Sequence, residues 1–177
     1  MSQICDYNRL IIKDNSLNDF ETIYEENYQQ MYSVALNMIN DRDAVCDIIQ
    51  EIFISYHKIS QNGNTINKPK SWLMRATINK CIDHSKYQKR HLKIDSIKPI
   101  PIIEDSIEKN QEKEILKLAL SRLKPKEKIL ALLYSEGMSY KEISEVSGIK
   151  FSSIGKMLSR TIKKLGEILK QLDYEMY

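Results

Sequence analysis

The chain has 177 residues, a net charge of +3 at pH 7, and only 5 Gly and 4 Pro, so helices are favoured over a turn-rich β fold. No apolar run approaches the roughly 20 residues that span a bilayer, and the first residues lack the order of a signal peptide. Three distant cysteines fit neither a disulfide framework nor a metal site. We therefore expect a cytoplasmic protein that inserts into no membrane and needs no metal or cofactor.

Three amphipathic helices are predicted in the first half of the chain, because apolar residues recur there at steps of three and four. They run from about Asn18 to Ile39, from about Asp43 to Ile59 and from about Lys70 to Lys89. Trp72, on the third helix, is expected to anchor the core rather than to stack on a base, since its neighbours on the same face are aliphatic.

Residues 91–106 break this helical pattern. Their Pro99-Ile100-Pro101 stretch cannot lie inside a helix, because each proline lacks an N–H and clashes with the preceding turn. Helical periodicity returns at about Ile107 and continues to Leu123, and Pro125 fits the first turn of a further helix. The sequence thus predicts an all-α protein of two small helical bundles joined by an extended linker, with domains at residues 1–90 and 107–177.

A short helix, a tight turn and a longer basic helix are predicted near the end of the chain. Ser139 lies three residues before Glu142, the spacing of a capping box, and Gly148 follows where a left-handed residue ends the helix. The second helix runs from about Ser152 to Gln171 and carries bases on its outer face. This is the helix-turn-helix plan, whose second helix enters the DNA major groove, although a surface hairpin with a solvated basic face gives the same pattern.

Charge alternates in blocks along the chain. Residues 14–53 hold nine acids and one base, a net −8, whereas residues 68–93 hold eight bases and one acid, a net +7. Residues 94–114 have a net charge of −3, and residues 115–172 have a net charge of +7. Two basic blocks indicate two contacts with nucleic-acid phosphates, and the acidic block indicates a basic protein surface as partner.

Three motifs in this order resemble those of one protein family. The first is residues 47–53 (DIIQEIF), which are similar to the pattern D-[IL]-[VI]-Q-E-[VT]-F. The second is residues 71–83 (SWLMRATINKCID), which are similar to W-L-x-R-I-A-x-N-x-x-I-D. The third is residues 123–127 (LKPKE) together with 140–143 (YKEI), which are similar to the part of this family called region 4. By these motifs the chain resembles the sigma-70 family of bacterial transcription initiation factors, specifically its small extracytoplasmic-function (ECF) group. The resemblance extends from about Phe20 to Leu169.

The resemblance implies an RNA polymerase sigma factor, with one module, sigma region 2-like, for the −10 promoter element and another, sigma region 4-like, for the −35 element. The implied partners are core RNA polymerase, through its β′ clamp and β flap, promoter DNA, and an inhibitory anti-sigma factor. The residues expected to bind polymerase are Asp47, Gln50, Glu51 and Phe53.

Similarity to the family assigns the third predicted helix to the −10 element. The residues expected there are Arg75, Asn79, Lys80, Asp83, His84, Lys86, Lys89 and Arg90. Polar edges give selectivity for captured bases, and cations hold the backbone. For Asp83 the sequence leaves open a structural role instead, as a helix cap or as the ion-pair partner of Lys80 or Lys86.

The −35 element is assigned to the helix-turn-helix. The residues expected to contact it are Lys141, Lys150, Ser152, Ser153, Lys156, Arg160 and Lys163. The chain departs from the family's T-V-[KR]-S-R-[LV]-x-R-[AG] pattern here, since Gly155 replaces a usual base and Met157 a usual Arg. We therefore expect a base preference different from the family's commonest one.

No nucleophile elbow, phosphate loop, metal-ligand pair or acid–base constellation is present in the sequence, so we expect no enzymatic activity. Two alternatives to a sigma factor remain open. One is a polymerase-independent helix-turn-helix transcriptional regulator, which leaves the acidic signature and the second basic block unexplained. The other is a small helical enzyme or a pure protein-interaction module, which predicts no DNA affinity.

Overall fold

The computed structural model describes residues 15–91 and 107–176, and this part of the chain contains seven helices and no strand. In chain order the helices are α1 (Asn15–Ile39), α2 (Arg42–Gln61), α3 (Pro69–His91), α4 (Ile107–Ser121), α5 (Pro125–Ser135), α6 (Tyr140–Ser147) and α7 (Phe151–Met176). The predicted all-α fold is confirmed. His91 ends α3 instead of opening the linker, and the rest of the predicted linker, residues 92–106, lies outside the described residues.

Helices α1, α2 and α3 pack against one another around an apolar centre. Its buried members include Met31 of α1, Ile49 and Ile52 of α2, and Leu73 of α3. These side chains recur at helical spacing because each helix has one apolar stripe, and burying that stripe is the main source of helix stability in a protein. Trp72 is half-buried with its ring 6.0 Å from that of Tyr56, which agrees with its predicted role as an anchor.

Helix α7 organises the second group, because it contacts α4, α5 and α6. Ile154 and Leu158 of α7 are buried together with Leu130 and Leu133 of α5 and with Ile143 of α6. The carboxyl-terminal part of α7 packs on α4 in a second cluster, which contains Ala119, Leu120, Leu123, Leu132, Ile168 and Leu172.

The two groups of helices also contact each other, α1 against α5 and α3 against α6. One continuous apolar cluster contains Met31 of α1 as well as Leu133 and Met138 of the second group. Polar contacts border it: the carboxylate of Glu136 accepts a hydrogen bond of 2.5 Å from the Ser33 hydroxyl, and the Glu136 carbonyl accepts one of 3.1 Å from the Gln30 amide. The described residues therefore form a single closed arrangement of the two modules.

Candidate functional site

Helix α2 exposes an acidic face. Asp41 caps its amino terminus, accepting a hydrogen bond of 3.1 Å from the backbone N–H of Ala44. The apolar stripe of α2 turns inward, so the predicted polymerase-binding residues Asp47, Gln50 and Glu51 are exposed on the opposite side. Three- and four-residue steps place these side chains on one surface.

Phe53, which the sequence predicts as a polymerase contact, lies in the core instead. Only 3% of its surface is exposed, and its ring centroid lies 4.6 Å from Tyr24 and 6.1 Å from Phe20. A side chain buried in this way offers no surface to a partner. This corrects the prediction of a direct contact, because the ring of Phe53 packs on the inner side of α2 against α1.

The acidic face of α2 is linked to the basic helix α3 by an ion pair. Lys80 Nζ lies 2.6 Å from Glu51 Oε2, and the two side chains remain 51% and 61% exposed. Exposed pairs of this kind contribute between about 0 and 1 kcal/mol. Either residue can therefore exchange its partner for a phosphate or a basic protein surface at small cost.

The outward side of α3 carries a row of polar residues. Arg75, Asn79, Asp83, Lys86 and Arg90 recur at steps of three and four and are all exposed, opposite the buried residues of the same helix. We call this row the outer face of α3. Of the two ion-pair partners that the sequence offered for Asp83, the structure shows Lys86, with Nζ 3.1 Å from Asp83 Oδ1, and Lys80 pairs with Glu51 instead.

The other residues predicted for the −10 element lie beside this row. Lys89 is exposed. His84 is half-buried, with its ring nitrogen 3.4 Å from the side-chain nitrogen of Gln88. Lys80 lies on the flank of α3 nearest α2, where it meets Glu51. The structure thus brings five of the eight predicted residues into one row and leaves three at its margins.

The helix-turn-helix has the local chemistry that its sequence predicts. The Ser139 hydroxyl accepts a hydrogen bond from the N–H of Glu142, and the Glu142 carboxylate accepts bonds of 2.8 and 2.7 Å from the Ser139 N–H and hydroxyl. These bonds lower the pKa of the Glu142 carboxyl, the serine hydroxyl being the largest cause. Gly148 ends α6 in the left-handed conformation with a φ of 70°.

Helix α7 presents a basic outward side. Ser152, Lys156, Arg160 and Lys163 are exposed, whereas Ile154, Leu158 and Thr161 of the same helix are buried. We call this side the outer face of α7. The remaining residues predicted for the −35 element surround it: Lys141 and Lys150 are exposed, and Ser153 is half-buried.

Gly155 borders the outer face of α7 and faces an aromatic ring. A Cβ atom at this position would lie 3.5 Å from Cε2 of Tyr140, an ordinary van der Waals distance. Tyr140 is itself 42% exposed, and its ring lies 6.5 Å from that of Tyr134. The tyrosine ring therefore leaves space for a methyl group at this position, so packing against Tyr140 does not require the glycine.

A cluster of polar side chains joins the start of α3 to α6. The Glu145 carboxylate accepts hydrogen bonds from Lys68 Nζ and, at 3.3 Å, from the Ser71 hydroxyl, while its backbone carbonyl accepts one from the Arg75 guanidinium. We call these four residues the Glu145 cluster. Lys68 is the main cause of the lowered pKa of the Glu145 carboxyl. Lys70 and Glu142 form a neighbouring ion pair at 3.7 Å.

The sequence missed three residues at these surfaces. Lys68 and Ser71 were not distinguished from other polar residues, because the acid that they bind lies more than seventy positions away. Ile54 extends the acidic face of α2 with a side chain that is 47% exposed. Its three-residue step from Glu51 is the only sequence signal that could have found it.

Other kinds of site are not found in the described parts of the chain. No group of three or more His, Cys, Asp or Glu residues there could hold a metal ion. Cys81 is buried, and this burial raises the pKa of its thiol to about 12, which makes it a poor nucleophile. No helix within 15–91 or 107–176 combines the length and the apolar character needed to cross a membrane.

Comparison with known protein families gives two matches. The model of sigma-70 region 2 matches residues 23–91, and the model of sigma-70 region 4 matches residues 113–165, so together they cover more than half of the chain. The first match contains the acidic face of α2 and the outer face of α3, and the second contains the outer face of α7 up to Lys163.

Similar proteins and structures give the same picture. The chain is 26% identical over 155 residues to the RNA polymerase sigma factor SigZ of Bacillus subtilis (strain 168), covering 85% of this chain and 87% of that one. It is 24% identical over 150 residues to the ECF RNA polymerase sigma factor SigM of the same organism, covering 82% of this chain and 91% of that one.

Two solved structures share the fold. One is the sigma factor RpoE in complex with the anti-sigma factor NepR from Bartonella quintana, with a TM-score of 0.66 and 19% identity over 86% of this chain and 98% of that one. The other is CnrH in complex with the cytosolic domain of CnrY, with a TM-score of 0.67 and 17% identity over 88% of this chain and 90% of that one.

Proposed function

Since the chain belongs to the ECF group of the sigma-70 family and is thus an RNA polymerase sigma factor, we propose a role for each of its charged helix faces. Residues 1–90 bind core polymerase and the −10 element, residues 107–177 bind the −35 element, and residues 91–106 link the two modules. The observation that carries this proposal is the separation of one acidic and two basic faces onto different helices of the same chain. The protein works in the cytoplasm as a specificity subunit, without catalysis of its own.

The acidic face of α2 binds the β′ clamp of polymerase. Exposed carboxylates at Asp47 and Glu51 form charge-assisted hydrogen bonds with basic side chains, and Gln50 between them adds neutral ones. Ile54 supplies an apolar contact beside them, as central apolar groups do in many interfaces. The region 4-like module makes the second polymerase contact, at the β flap.

The two basic faces bind the promoter. The outer face of α3 offers cations for phosphates together with Asn79 and Asp83, whose polar groups can read base edges of the opened −10 strand. The outer face of α7 enters the major groove at the −35 element, as the second helix of a helix-turn-helix does. Since Gly155 and Met157 offer no charged donors there, base readout depends on Ser152, Lys156 and Arg160.

Charge reversal tests the polymerase contact. Asp47→Lys with Glu51→Lys should abolish run-off transcription with core polymerase at a promoter that the wild-type chain uses. Glu21→Lys with Glu25→Lys is the matched control, because these exposed acids have the same four-residue spacing on a helix of the same module. Circular dichroism checks that both variants fold. Unchanged transcription by the α2 variant, or equal loss in the control, would show that the acidic face of α2 is not the docking surface.

A gel-shift assay separates the sigma factor from a polymerase-independent regulator. The holoenzyme should bind promoter DNA more tightly than the free chain, and both complexes should weaken as salt rises, because phosphate contacts release counterions. Tight promoter binding by the isolated chain that core polymerase does not change would favour the alternative.

We also propose that an anti-sigma factor restrains the protein. Both fold neighbours were solved in complexes, RpoE with the anti-sigma factor NepR and CnrH with the cytosolic domain of CnrY, and this supports a comparable partner here. Affinity purification of the full chain from its own cells should recover a second stoichiometric protein besides polymerase. Recovery of polymerase alone, under conditions in which the regulated genes are silent, would argue against such a partner.

A further inference from the structure

The Glu145 cluster places two hydrogen-bond donors on one carboxylate and a third on the backbone carbonyl of the same residue. Ser71 and Arg75 lie in the first two turns of α3 and Lys68 immediately precedes the helix; Lys68 and Ser71 bond the carboxylate of Glu145, and Arg75 bonds its carbonyl. Glu145 is the only acid in the cluster, and its carboxylate and carbonyl oxygens take all three donors. The arrangement is that of an anion site whose occupant belongs to the other module of the same chain.

These donors are the groups that hold nucleic-acid phosphates. Arg, Lys and Ser side chains make many of the protein's hydrogen bonds to the DNA backbone, and charge-assisted bonds are the stronger ones. The site lies in the block 68–93, which has a net charge of +7, and Arg75 is also the first residue of the outer face of α3. A phosphate in this site would therefore continue the proposed −10 contact toward the start of the helix.

We propose that Lys68, Ser71 and Arg75 form a binding site for a backbone phosphate of DNA, and that Glu145 occupies this site in the free protein. The proposal rests on the proposed function in assigning α3 to promoter DNA. It adds two phosphate-binding residues, Lys68 and Ser71, and a competing group within the chain.

Promoter geometry requires this contact to open. The two elements are named for positions about 25 base pairs apart, roughly 85 Å along B-form DNA. Helices α3 and α6 touch in the described structure, so both modules cannot reach their elements at once in this arrangement. A fully extended chain of fifteen residues, the number from 92 to 106, spans at most about 50 Å, so the two modules have room to separate.

The exchange of Glu145 for a phosphate needs little free energy. The Lys68 side chain is 60% exposed in its ion pair with Glu145, and exposed pairs are weak and screened by salt. Removing the competing carboxylate should therefore tighten DNA binding by the free chain about two- to five-fold. In the wild-type chain, Glu145 therefore lowers the DNA affinity of the free protein by the same factor.

The test measures binding of the free full-length chain to a fluorescently labelled duplex of arbitrary sequence, because phosphate contacts do not depend on sequence. Glu145→Gln should bind about two- to five-fold more tightly than wild type. Glu112→Gln, which removes one exposed acid from α4 in the same module and away from both proposed DNA-binding faces, controls for the change in net charge and should have the smaller effect. Adding Lys68→Ala to Glu145→Gln should cancel the gain and reduce the slope of log affinity against log salt by about 1.

Two results overturn the proposal: a gain in Glu145→Gln no larger than in Glu112→Gln, or a gain that survives Lys68→Ala. Circular dichroism establishes that each variant folds. Run-off transcription with the same proteins tests the proposed function independently of this inference. Failure to direct core polymerase, with the duplex result as expected, would overturn the sigma assignment alone, whereas normal transcription without the duplex effect would overturn only the self-occupied phosphate site.

Discussion

Replacing Gly155 with alanine should stabilise the protein, although the glycine lies against Tyr140. Gly155 is inside α7, where alanine is favoured over glycine by about 0.5–1 kcal/mol because glycine loses more conformational freedom on folding. The added Cβ would lie 3.5 Å from Tyr140 Cε2, which is an ordinary contact and no clash. The helix preference therefore decides the sign of the effect.

Two other glycines provide control variants for this prediction. Gly166 lies in the same helix, and a Cβ there would meet nothing within 4 Å, so Gly166→Ala should give the helix preference alone. Gly148 has a φ of 70°, a conformation that costs a non-glycine residue about 1–2 kcal/mol, so Gly148→Ala should destabilise the protein.

Urea unfolding at equilibrium measures all three variants. The midpoint should rise for Gly155→Ala and Gly166→Ala and fall for Gly148→Ala, with the slope against denaturant unchanged. In thermal unfolding a gain of about 1 kcal/mol corresponds to roughly 2–4 °C for a chain of this size. If Gly155→Ala lowered the unfolding free energy while Gly166→Ala raised it, Tyr140 could not accept a methyl group, and the reasoning from the 3.5 Å contact would be refuted.

Two further predictions concern the caps of the helix-turn-helix. Ser139→Ala should lower the unfolding free energy by about 1 kcal/mol, because it removes the hydroxyl that bonds the N–H and carboxylate of Glu142; thermal unfolding checks this, and an unchanged midpoint would contradict it. Hydrogen bonds from Lys164 and from the Lys124 N–H lower the pKa of the Glu127 carboxyl. Hydrogen bonds from the Ser139 hydroxyl and N–H lower the pKa of the Glu142 carboxyl. Their stabilisation is present above the unfolded-state pKa of about 4.3 and is lost as pH falls through the lower folded-state pKa. Unfolding measured across pH should thus show a loss of stability below about pH 4.3 that is smaller in Glu142→Gln; equal losses would contradict it.

The proposed phosphate site would give the closed arrangement a physical purpose. The apolar cluster that the two modules share contains Met138 and none of the residues of the outer face of α7, while the Glu145 cluster includes Arg75, the first residue of the outer face of α3. A sigma factor built in this way would show its full DNA affinity only after its modules separate.

The helices were largely readable from the sequence. Apolar steps of three and four predicted most of the described helices. Local chemistry predicted the rest and the ends: Pro125 starts α5, Ser139 and Glu142 cap α6, and Gly148 ends it. These features depend on residues within one turn of each other. The acidic and basic faces followed for the same reason, since helical periodicity decides which side chains share a side.

Phe53 shows where the same reasoning fails. A family motif records which residues recur together, without separating those that touch a partner from those that support the helix. The ring contacts with Phe20 and Tyr24, which come from another helix, assign Phe53 to the core.

The sequence by itself determined the helices, the charge of their outer faces and the family, because each depends on spacings of a few residues. Only the tertiary structure decided that the modules close on each other, that Glu51 pairs with Lys80, and that Glu145 accepts hydrogen bonds from Lys68, Ser71 and Arg75. These contacts join residues 29 to 77 positions apart. No local preference specifies such pairs, since they form only when apolar packing brings their helices together.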